Sequence, residues 1–270
     1  MLNRIFISSD IEGTCGIAHW DETEIGKVDY DPFRRQMTRE VTAACEGAVA
    51  GGSDGVFVKD AHDSARNLIT TELPEGIQIF RGWGSDVHSM VSGLDASFSG
   101  LILTGYHSPS NTDGNPLAHT MNTQNTSVRL NGIQMSEMMM NIYAAAMYDV
   151  PALMITGDEG VCEMAKRLCP HIHTVPVNRG CGNGTISIHP ADAVKRIRET
   201  AERAVAEGLR DPERFHIDLP NSFDVEIEYR HHSSARRAGF YPGARQIAPR
   251  TVRYSSDAYM DVLRFLLFCL

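Results

Sequence analysis

The sequence predicts an α/β protein with a mostly parallel sheet flanked by helices, followed by a smaller C-terminal α+β lobe. The first indication is a short apolar run at 5–7, then a helical pattern over 31–50 and a second apolar run at 55–59. A strand, a helix and a strand in this order form a β-α-β unit, which implies parallel strands joined by a right-handed crossover. The second indication is that strand and helix patterns keep alternating until about residue 210, where the pattern changes.

The individual elements have local signals. Asp31-Pro32 suits the start of the first helix and Gly51-Gly52 its end. Asn131-Gly132 between alternating segments predicts a hairpin over 127–135 with a type I′ turn. The remaining elements before residue 210 are predicted as strands at 77–80, 100–104, 151–156 and 172–177 and as helices at 87–94, 136–148, 159–168 and 191–207.

The chain past residue 211 has a different character. Alternation over 223–229 predicts a half-exposed strand, and a further strand at 251–254 and a helix at 257–267 follow. We therefore predict two domains, which can pack as one unit. Residues 1–210 form an α/β domain that carries the candidate metal-binding residues, and residues 211–270 form the smaller α+β lobe.

The composition excludes several classes of partner. The chain has 270 residues and a formal net charge of −9, whereas nucleic acids and anionic membrane surfaces are bound through basic patches. No apolar stretch reaches transmembrane length, and the first residues lack the pattern of a signal peptide. The six cysteines form no C-x-x-C pair. A cytoplasmic location with no nucleic-acid and no membrane partner is therefore expected.

The first candidate functional feature is the pair Asp10 and Glu12, at the end of the first apolar run. Side chains two residues apart on a strand share a face, so the two carboxylates are expected to project together, with Gly13 turning the chain away. Adjacent carboxylates repel each other unless a cation lies between them. A pair of solvated acids in a loop is the alternative, and the rest of the chain argues against it.

Further ligand-type side chains follow other predicted strands. His62 follows the second strand in Asp60-Ala61-His62, His107 follows the strand at 100–104, Glu137 opens a helix, and His119 lies in the loop before it. Open α/β sheets bind ligands at the carboxyl ends of their strands, so these groups are expected to converge. Each has a structural explanation on its own, but carboxylates and imidazoles together are the usual ligands of zinc and similar ions.

The number of candidate ligands bears on the kind of site. A single catalytic zinc needs three protein ligands and an open position, so five candidates are too many for one ion. They suit two ions about 3.5–4 Å apart, bridged by one carboxylate and an activated water. The reaction class is then hydrolysis, with a histidine outside the ligand set free to transfer protons.

Short motifs in a fixed order point to one family. The pattern S-x-D-x-E-G-x-x-G begins at Ser8, D-x-H is Asp60-Ala61-His62, and G-Y-H is Gly105-Tyr106-His107. Each motif is unspecific alone, but all of them in this order are highly specific. In these segments the chain resembles the zinc-dependent D-aminopeptidases, over most of its length and most strongly from residue 5 to about 160. The later matching segments are His119-Thr120-Met121, Glu137 to Asn141, Tyr148-Asp149-Val150-Pro151 and Gly157-Asp158.

The resemblance implies a two-zinc site with assigned roles. Asp10 would bridge the metals, and Glu12 and His62 would complete one coordination sphere. His107 and Glu137 would complete the other. His119 would be the catalytic histidine that is not a ligand, acting either as general acid/base or as an orienter of the attacked carbonyl. Zn²⁺, two per subunit, is the implied cofactor, and Mn²⁺ or Co²⁺ would suit similar ligands.

The resemblance also implies an activity and an assembly. The expected function is a metal-dependent aminopeptidase that releases the N-terminal residue of short peptides, D-configured ones such as D-alanyl peptides among them. The expected partner is a further copy of the chain, in a homodecameric ring that admits only small peptides. Neither the activity on D-residues nor the ring follows from composition.

The chain departs from the family pattern at a few positions. Ala61 and Asp63 replace small hydroxyl residues beside the second-strand histidine, and Ser136 replaces a glycine before Glu137. None of these changes removes a predicted ligand, while the preference between D and L substrates stays open. Two alternatives remain: another two-metal hydrolase, such as an amidase or phosphoesterase, and a non-catalytic, metal-containing peptide-binding ring protein. The extra histidine, His119, argues against the second because a purely structural metal site has no need of it.

Overall fold

Strands and helices alternate over most of the chain in a computed structural model that describes residues 2–270. This alternation confirms the predicted α/β class. In chain order the strands are β1 (Arg4–Ser9), β2 (Gly55–Asp60), β3 (Gln78–Phe80), β4 (Gly100–Tyr106), β5 (Asn125–Leu130), β6 (Ile133–Gln134), β7 (Ala152–Asp158), β8 (His173–Cys181), β9 (Gly184–Ser187), β10 (Phe223–Tyr229), β11 (Arg245–Ala248) and β12 (Thr251–Ser256). The α-helices are α1 (Tyr30–Ala50), α2 (Glu137–Ala146), α3 (Glu159–Leu168), α4 (Pro190–Arg210), α5 (His232–Ala238) and α6 (Tyr259–Cys269).

The larger sheet places three strand ends side by side. Its strands lie in the order β3-β2-β1-β4-β7-β8-β9, and its neighbouring strands are parallel except for the β8–β9 pair. β1 lies between β2 and β4. The carboxyl ends of these three strands therefore meet at one edge of the sheet, which is where open α/β sheets bind their ligands.

Helices cover both faces of the larger sheet. Ile5 and Ile7 of β1 belong to a buried cluster with α1 and α4, whereas Phe6 belongs to a cluster with α2 and α3. Successive side chains of a strand point to opposite faces, so a strand covered on both sides is apolar at every position. This explains the uninterrupted apolar run at the start of the chain. None of the helices within residues 2–270 combines the length and the apolar character that a membrane span requires.

An antiparallel sheet forms a second layer, with the strand order β11-β12-β10-β5-β6. The turn between β5 and β6 has Asn131 at φ 51° and Gly132 at φ 80°, which confirms the predicted hairpin with its type I′ turn. Helices α2 and α6 share a buried cluster with this sheet. Because β5 and β6 precede residue 210, the sheet combines strands from both sides of the predicted domain boundary, and the division into two domains stays a prediction.

The predicted helix at 87–94 is wrong. The structure has only a short 3-10 turn there, at Ser89–Val91. Ser89 has φ 49° and Gly93 has φ 94°, and backbone at these left-handed values interrupts a right-handed helix. The other predicted helices are present with their ends shifted by a few residues.

The turn after β1 holds Asp10 and Glu12 in a way that differs from the prediction. β1 ends at Ser9, so the two acids lie in the following turn and not on a strand face. The Asp10 amide donates to the Thr104 carbonyl (2.9 Å), and the Gly13 amide donates to the Gly105 carbonyl (2.8 Å). A Cβ atom at Gly13 would lie 1.8 Å from a backbone oxygen of β4, so glycine is required there by close packing.

Glu40 on α1 supports this turn from beneath. Its Oε1 accepts hydrogen bonds from the Cys15 amide and from the Gln36 side chain, both at 3.0 Å. The side chain is only 1% exposed, and this burial raises its pKa to about 7. A carboxyl group therefore changes charge near neutral pH directly behind the turn that carries Asp10 and Glu12.

We predict that Glu40 makes the folded state less stable as the pH rises. The pKa is raised from 4.5 to about 7, so between these values the folded chain binds more protons than the unfolded chain and the free energy of unfolding falls with pH. The difference of 2.5 pKa units corresponds to a loss of about 3 kcal/mol by pH 8. Between pH 5 and pH 8, wild type should therefore lose about 2.5 kcal/mol more of its free energy of unfolding than Glu40→Gln, which keeps the shape and an acceptor oxygen.

Urea unfolding at pH 5 and pH 8, with a chelator present throughout, measures this difference. Glu46→Gln on the same helix is the matched control, because the Glu46 side chain is 48% exposed and its ion pair with Arg198 (3.2 Å) lies at the surface, where such pairs contribute little to stability. An equal difference between Glu40→Gln and wild type at both pH values would contradict the prediction.

Candidate metal centre

The sequence-predicted site residues converge at the carboxyl edge of the larger sheet. Asp10 and Glu12 lie in the turn after β1, His62 follows β2, and His107 follows β4. Glu137 is the first residue of α2, which begins there because the Ser136 side chain accepts a hydrogen bond from the Met139 amide. His119 reaches the same place from the loop between β4 and β5. The structure thus brings all six residues together: Asp10, Glu12, His62, His107, His119 and Glu137.

Asp10 lies between two groups of potential ligands. On one side, Nδ1 of His62 lies 3.3 Å from Asp10 Oδ1 and 3.1 Å from Glu12 Oε2. On the other side, Nε2 of His107 lies 3.6 Å from Asp10 Oδ2 and 3.7 Å from Glu137 Oε2. Each of Asp10's carboxylate oxygens therefore faces a different histidine, with a second carboxylate beside each one.

His119 lies over the gap between the two groups. Its Nε2 is 3.8 Å from Glu12 Oε1 and 3.8 Å from Glu137 Oε1. The ring stacks on His107 with 4.4 Å between ring centroids, and Trp20 packs edge-on against it at 5.3 Å. Glu12, His107 and His119 also lie close enough together to form a third potential ligand group. Geometry alone therefore permits His119 as a ligand as well as a proton carrier.

Backbone carbonyls orient the three histidine rings. Nε2 of His62 donates to the Thr23 carbonyl (3.0 Å), Nδ1 of His107 to Ser108 (2.8 Å), and Nδ1 of His119 to Leu117 (2.9 Å). A carbonyl oxygen can only accept, so each of these ring nitrogens carries a proton. In the neutral ring, the other nitrogen of each histidine then presents a lone pair to the cluster, as metal-binding histidines require.

The donor set fits a divalent metal. Asp10 Oδ2 and His107 Nε2 are buried, and neither has a hydrogen-bond partner among residues 2–270. A buried polar atom without a partner is costly, and a bound cation removes that cost. Three carboxylates and three imidazoles form a mixed oxygen and nitrogen donor set, which is typical of zinc and neighbouring transition metals.

The three carboxylates perturb one another. Burial, followed by the charge of Glu12, raises the pKa of Asp10 well above its usual value. Burial also acts to raise the pKa of Glu12, but the charge and hydrogen bond of His62, together with the charges of His107 and His119, hold that pKa well below the usual value. The pKa of Glu137 is lowered in the same way, with burial opposed by the charge of His107. Without a cation, the histidines thus favour the ionised form of Glu12 and Glu137, whereas burial and these two neighbouring charges favour the protonated form of Asp10.

The three histidines divide into two groups. Burial disfavours charge on His62 and His107, yet the negative charges of Glu12 and Glu137 respectively raise the pKa of each ring well above 6.5. Burial, followed by the charge of His107, lowers the pKa of His119. Because a metal binds the neutral imidazole, metal loading at His62 and His107 releases protons. His119 is already biased towards the neutral form that accepts one.

The cluster lies in a cavity of about 650 Å³ that opens to solvent. Trp20 and Trp83 contribute aromatic walls, and Met121 lies beside Glu137. Three further acids, Asp21, Glu24 and Asp63, line the cavity away from the ligand groups, with Lys27 paired to Asp21 at 2.9 Å. The cavity is large enough for a small peptide and carries negative charge towards its rim.

The sequence did not reveal the residues that support the site from outside. The carbonyls of Thr23, Ser108 and Leu117 act through the main chain, so no side-chain pattern marks them. Trp20 and Trp83 are the two tryptophans of the chain, which is the one signal that could have singled them out. Asp60, in contrast, has a structural role because its carboxylate accepts from the amides of Asn67 (2.6 Å) and Leu68 (2.8 Å).

An α/β sheet with such a buried carboxylate and imidazole cluster at its carboxyl edge, inside an open cavity, defines a metal-dependent hydrolase. The chain belongs to the D-aminopeptidase family Peptidase_M55, whose family model matches residues 3–268. It is 27% identical to a D-aminopeptidase of Bacillus subtilis (strain 168) over 269 residues, covering 98% of this chain and 95% of that protein.

A solved structure gives the same result for the fold. The chain is similar to the Zn-dependent D-aminopeptidase DppA from Bacillus subtilis, described as a self-compartmentalizing protease, with a TM-score of 0.88 and 25% sequence identity. The similarity covers 98% of this chain and 95% of that one. The family resemblance inferred from the motifs is therefore confirmed, and the metal-dependent aminopeptidase function predicted from it is the function of the family.

Proposed function

We propose that this chain is a zinc-dependent aminopeptidase that hydrolyses the N-terminal peptide bond of short peptides, including peptides with D-residues. The observation that carries the proposal is the convergence of Asp10, Glu12, His62, His107 and Glu137 around one point, with His119 beside them. Family membership and the zinc dependence of DppA support it. A structural metal site would be closed and would need no open cavity above it.

The residues divide into ligands and a proton carrier. In the proposal Asp10 would be shared between two ions, Glu12 and His62 would hold one of them, and His107 and Glu137 would hold the other. When bound, zinc supplies a lowered pKa for water and polarisation of the scissile carbonyl. The two oxygens of Asp10 face different histidines, which supports a shared role for this carboxylate.

His119 is the proposed catalytic residue that moves the proton. Its Nδ1 is held by the Leu117 carbonyl, so its Nε2 is the atom that accepts a proton from the attacking water and returns one to the leaving amine. The lowered pKa keeps this nitrogen free at neutral pH. Stacking on His107 and contact with Trp20 fix the plane of the ring.

The cavity also supports a substrate with a free amino terminus. An ammonium group is attracted to carboxylates, and Asp21, Glu24 and Asp63 line the cavity outside the ligand groups. Lys27 pairs with Asp21 and Glu24, which leaves a net negative charge among these side chains. This net charge repels a phosphoester substrate, so the peptide is the better match. An amidase acting on small amides is the remaining alternative among two-metal hydrolases.

Assembly and location complete the proposal. DppA is described as self-compartmentalizing, and a homodecameric ring of this chain would likewise restrict entry to short peptides. The six cysteines are free thiols in the described chain, which fits a reducing compartment such as the cytoplasm. The α/β domain at 1–210 would carry the site, and the lobe at 211–270 would pack against it as one unit.

The decisive experiment measures release of D-alanine and L-alanine from matched dipeptides after metal removal and reconstitution with Zn²⁺, Mn²⁺ or Co²⁺. We expect zinc-dependent hydrolysis with an α-amino group required at the cleaved residue. N-acetylated dipeptides and a phosphoester are the matched control substrates. Hydrolysis of simple amides or phosphoesters without cleavage of any dipeptide would contradict the proposal.

We also predict that metal removal destabilises the fold. A ligand that binds only the folded chain adds about 2.7 kcal/mol to the free energy of unfolding when its free concentration is 100 times its Kd. Chelation should therefore lower the melting temperature, and added zinc should restore it. Thermal unfolding with and without chelator measures this effect. Identical melting temperatures in protein that metal analysis shows to be loaded and stripped would contradict it.

A further inference from the structure

A second, smaller cavity lies next to the metal-centre cavity. It has a volume of about 240 Å³, and Met121 and Asn122 line both cavities. Its other walls are mostly aliphatic. They come from α2, from α6 with the following Leu270, and from Val87 and Ser89 before β4, with Met140, Leu263, Leu266 and Leu267 among them. A small, mostly apolar pocket thus adjoins the larger cavity that contains the potential metal ligands.

The shared wall is tied directly to the metal centre. The Met121 amide donates to Glu137 Oε1 at 2.6 Å, and Met121 adopts φ 63° to do so. The neighbouring Asn122 side chain donates to the Leu270 carbonyl at 2.9 Å. Met121, whose amide holds the proposed ligand Glu137, is therefore also a lining residue of the apolar pocket.

The opposite end of the centre carries more negative than positive charge. The Thr23 carbonyl holds His62, and Asp21 and Glu24 belong to the same segment as Thr23. Lys27 lies 2.9 Å from Asp21 and 3.7 Å from Glu24 and offsets one of their two charges. Asp63 follows His62 directly. Since His62 and Glu137 lie on different sides of Asp10, the cavity is acidic at the His62 end and adjoins the apolar pocket at the Glu137 end.

We propose that the apolar pocket receives the side chain of the second residue of the substrate, on the C-terminal side of the scissile bond. This rests on the proposed aminopeptidase function. The substrate's ammonium group is attracted to the acidic end, so the first residue lies towards His62 and the second towards Met121. A branched aliphatic side chain fits an aliphatic pocket of this size, whereas a charged one would be desolvated without a partner.

The first test compares dipeptides that share an N-terminal alanine and differ in the second residue. With zinc-loaded wild-type enzyme, leucine or valine as second residue should raise kcat/KM about 10- to 100-fold over alanine, and aspartate should lower it. Equal kcat/KM values for leucine, alanine and aspartate would overturn the pocket assignment alone. Absence of hydrolysis of every dipeptide would overturn the proposed function, and this inference with it.

The second test changes the lip of the pocket. Leu267 is 41% exposed, so Leu267→Asp places a carboxylate there at little cost to folding, and Phe268→Asp at the next position, 70% exposed and outside the pocket, is the matched control. Leu267→Asp should lower kcat/KM for the leucine dipeptide about 10-fold and raise it for the lysine dipeptide, while leaving the alanine dipeptide within about threefold. Phe268→Asp should leave the order of preference unchanged.

Binding and assembly measurements separate the pocket from its other possible occupant, a second copy of the chain. Calorimetric titration of dipeptides into zinc-loaded His119→Ala should show the same preference for leucine without turnover. Light scattering should show the same oligomer for Leu267→Asp and wild type. A smaller oligomer, combined with an unchanged order of substrate preference, would assign the pocket to subunit contact and overturn the proposal.

Discussion

Asp10→Ala is expected to lose bound zinc and activity together. Each oxygen of this carboxylate faces a different histidine, so its removal takes an oxygen from both potential ligand groups at once. Loss of a residue that only supports a ligand already weakens metal binding about 10- to 100-fold, and loss of a shared ligand should exceed this. We therefore expect kcat/KM below about 1% of wild type under zinc concentrations that saturate the wild-type enzyme.

Metal analysis of dialysed protein beside dipeptide kinetics measures both losses. Asp10→Asn is a useful second variant because it keeps the size of the side chain and the acceptor for the Ile11 amide. Asp63→Asn is the matched control for zinc content, which it should keep in full: it removes an acid that lines the same cavity but belongs to none of the potential ligand groups, and asparagine tolerates the φ of 42° at this position. Full zinc content in Asp10→Ala would contradict its assignment as a shared ligand.

His119→Ala is expected to keep zinc and lose turnover. Removal of a positioned general acid/base typically costs about 10²- to 10⁴-fold in rate, and the ligands proposed for both metals remain in this variant. The fall should appear in kcat more than in KM, because His119 transfers a proton during the reaction and does not bind the peptide. Its lowered pKa further predicts that the wild-type rate persists to mildly acidic pH.

This variant also decides between the two roles that geometry allows. Glu12, His107 and His119 form one of the potential ligand groups, so a ligand role predicts loss of zinc on substitution. His216→Ala, outside the cavity, controls for the loss of an imidazole as such. Loss of zinc from His119→Ala would reassign His119 as a ligand, and unimpaired turnover would remove its catalytic role.

Much of the centre could be predicted from the sequence because it follows from parallel strands. His62 and His107 each follow the end of a strand, and strands β2 and β4 flank β1, so their carboxyl ends necessarily meet beside Asp10. Asp10 and Glu12 were predicted to lie together because they share one face of a strand, and this reason is wrong. The acids lie past the strand, in a turn held by β4, and hydrogen bonds to a distant strand leave no trace in the local sequence.

The residues in loops could be placed only through family resemblance. His119 lies in a long connection between β4 and β5, where periodicity gives no information about position. The apolar pocket was not predicted at all, because its walls come from segments that are distant in the chain: the loop at Met121, helix α2 and helix α6. The place of β5 and β6 in the second sheet was not predicted either, because strand pairing is set by tertiary packing.

The walls of the apolar pocket have different capacities for evolutionary change. The Met121 amide donates to Glu137 from a backbone with φ 63°, which few side chains adopt readily, so variation on that side is constrained. The aliphatic residues of α6 contribute none of the six side chains of the centre. If the pocket receives the second residue of the substrate as proposed, exchanges along α6 change the preferred substrate and leave the six side chains of the centre in place, which makes this helix the natural place to begin laboratory evolution of substrate range.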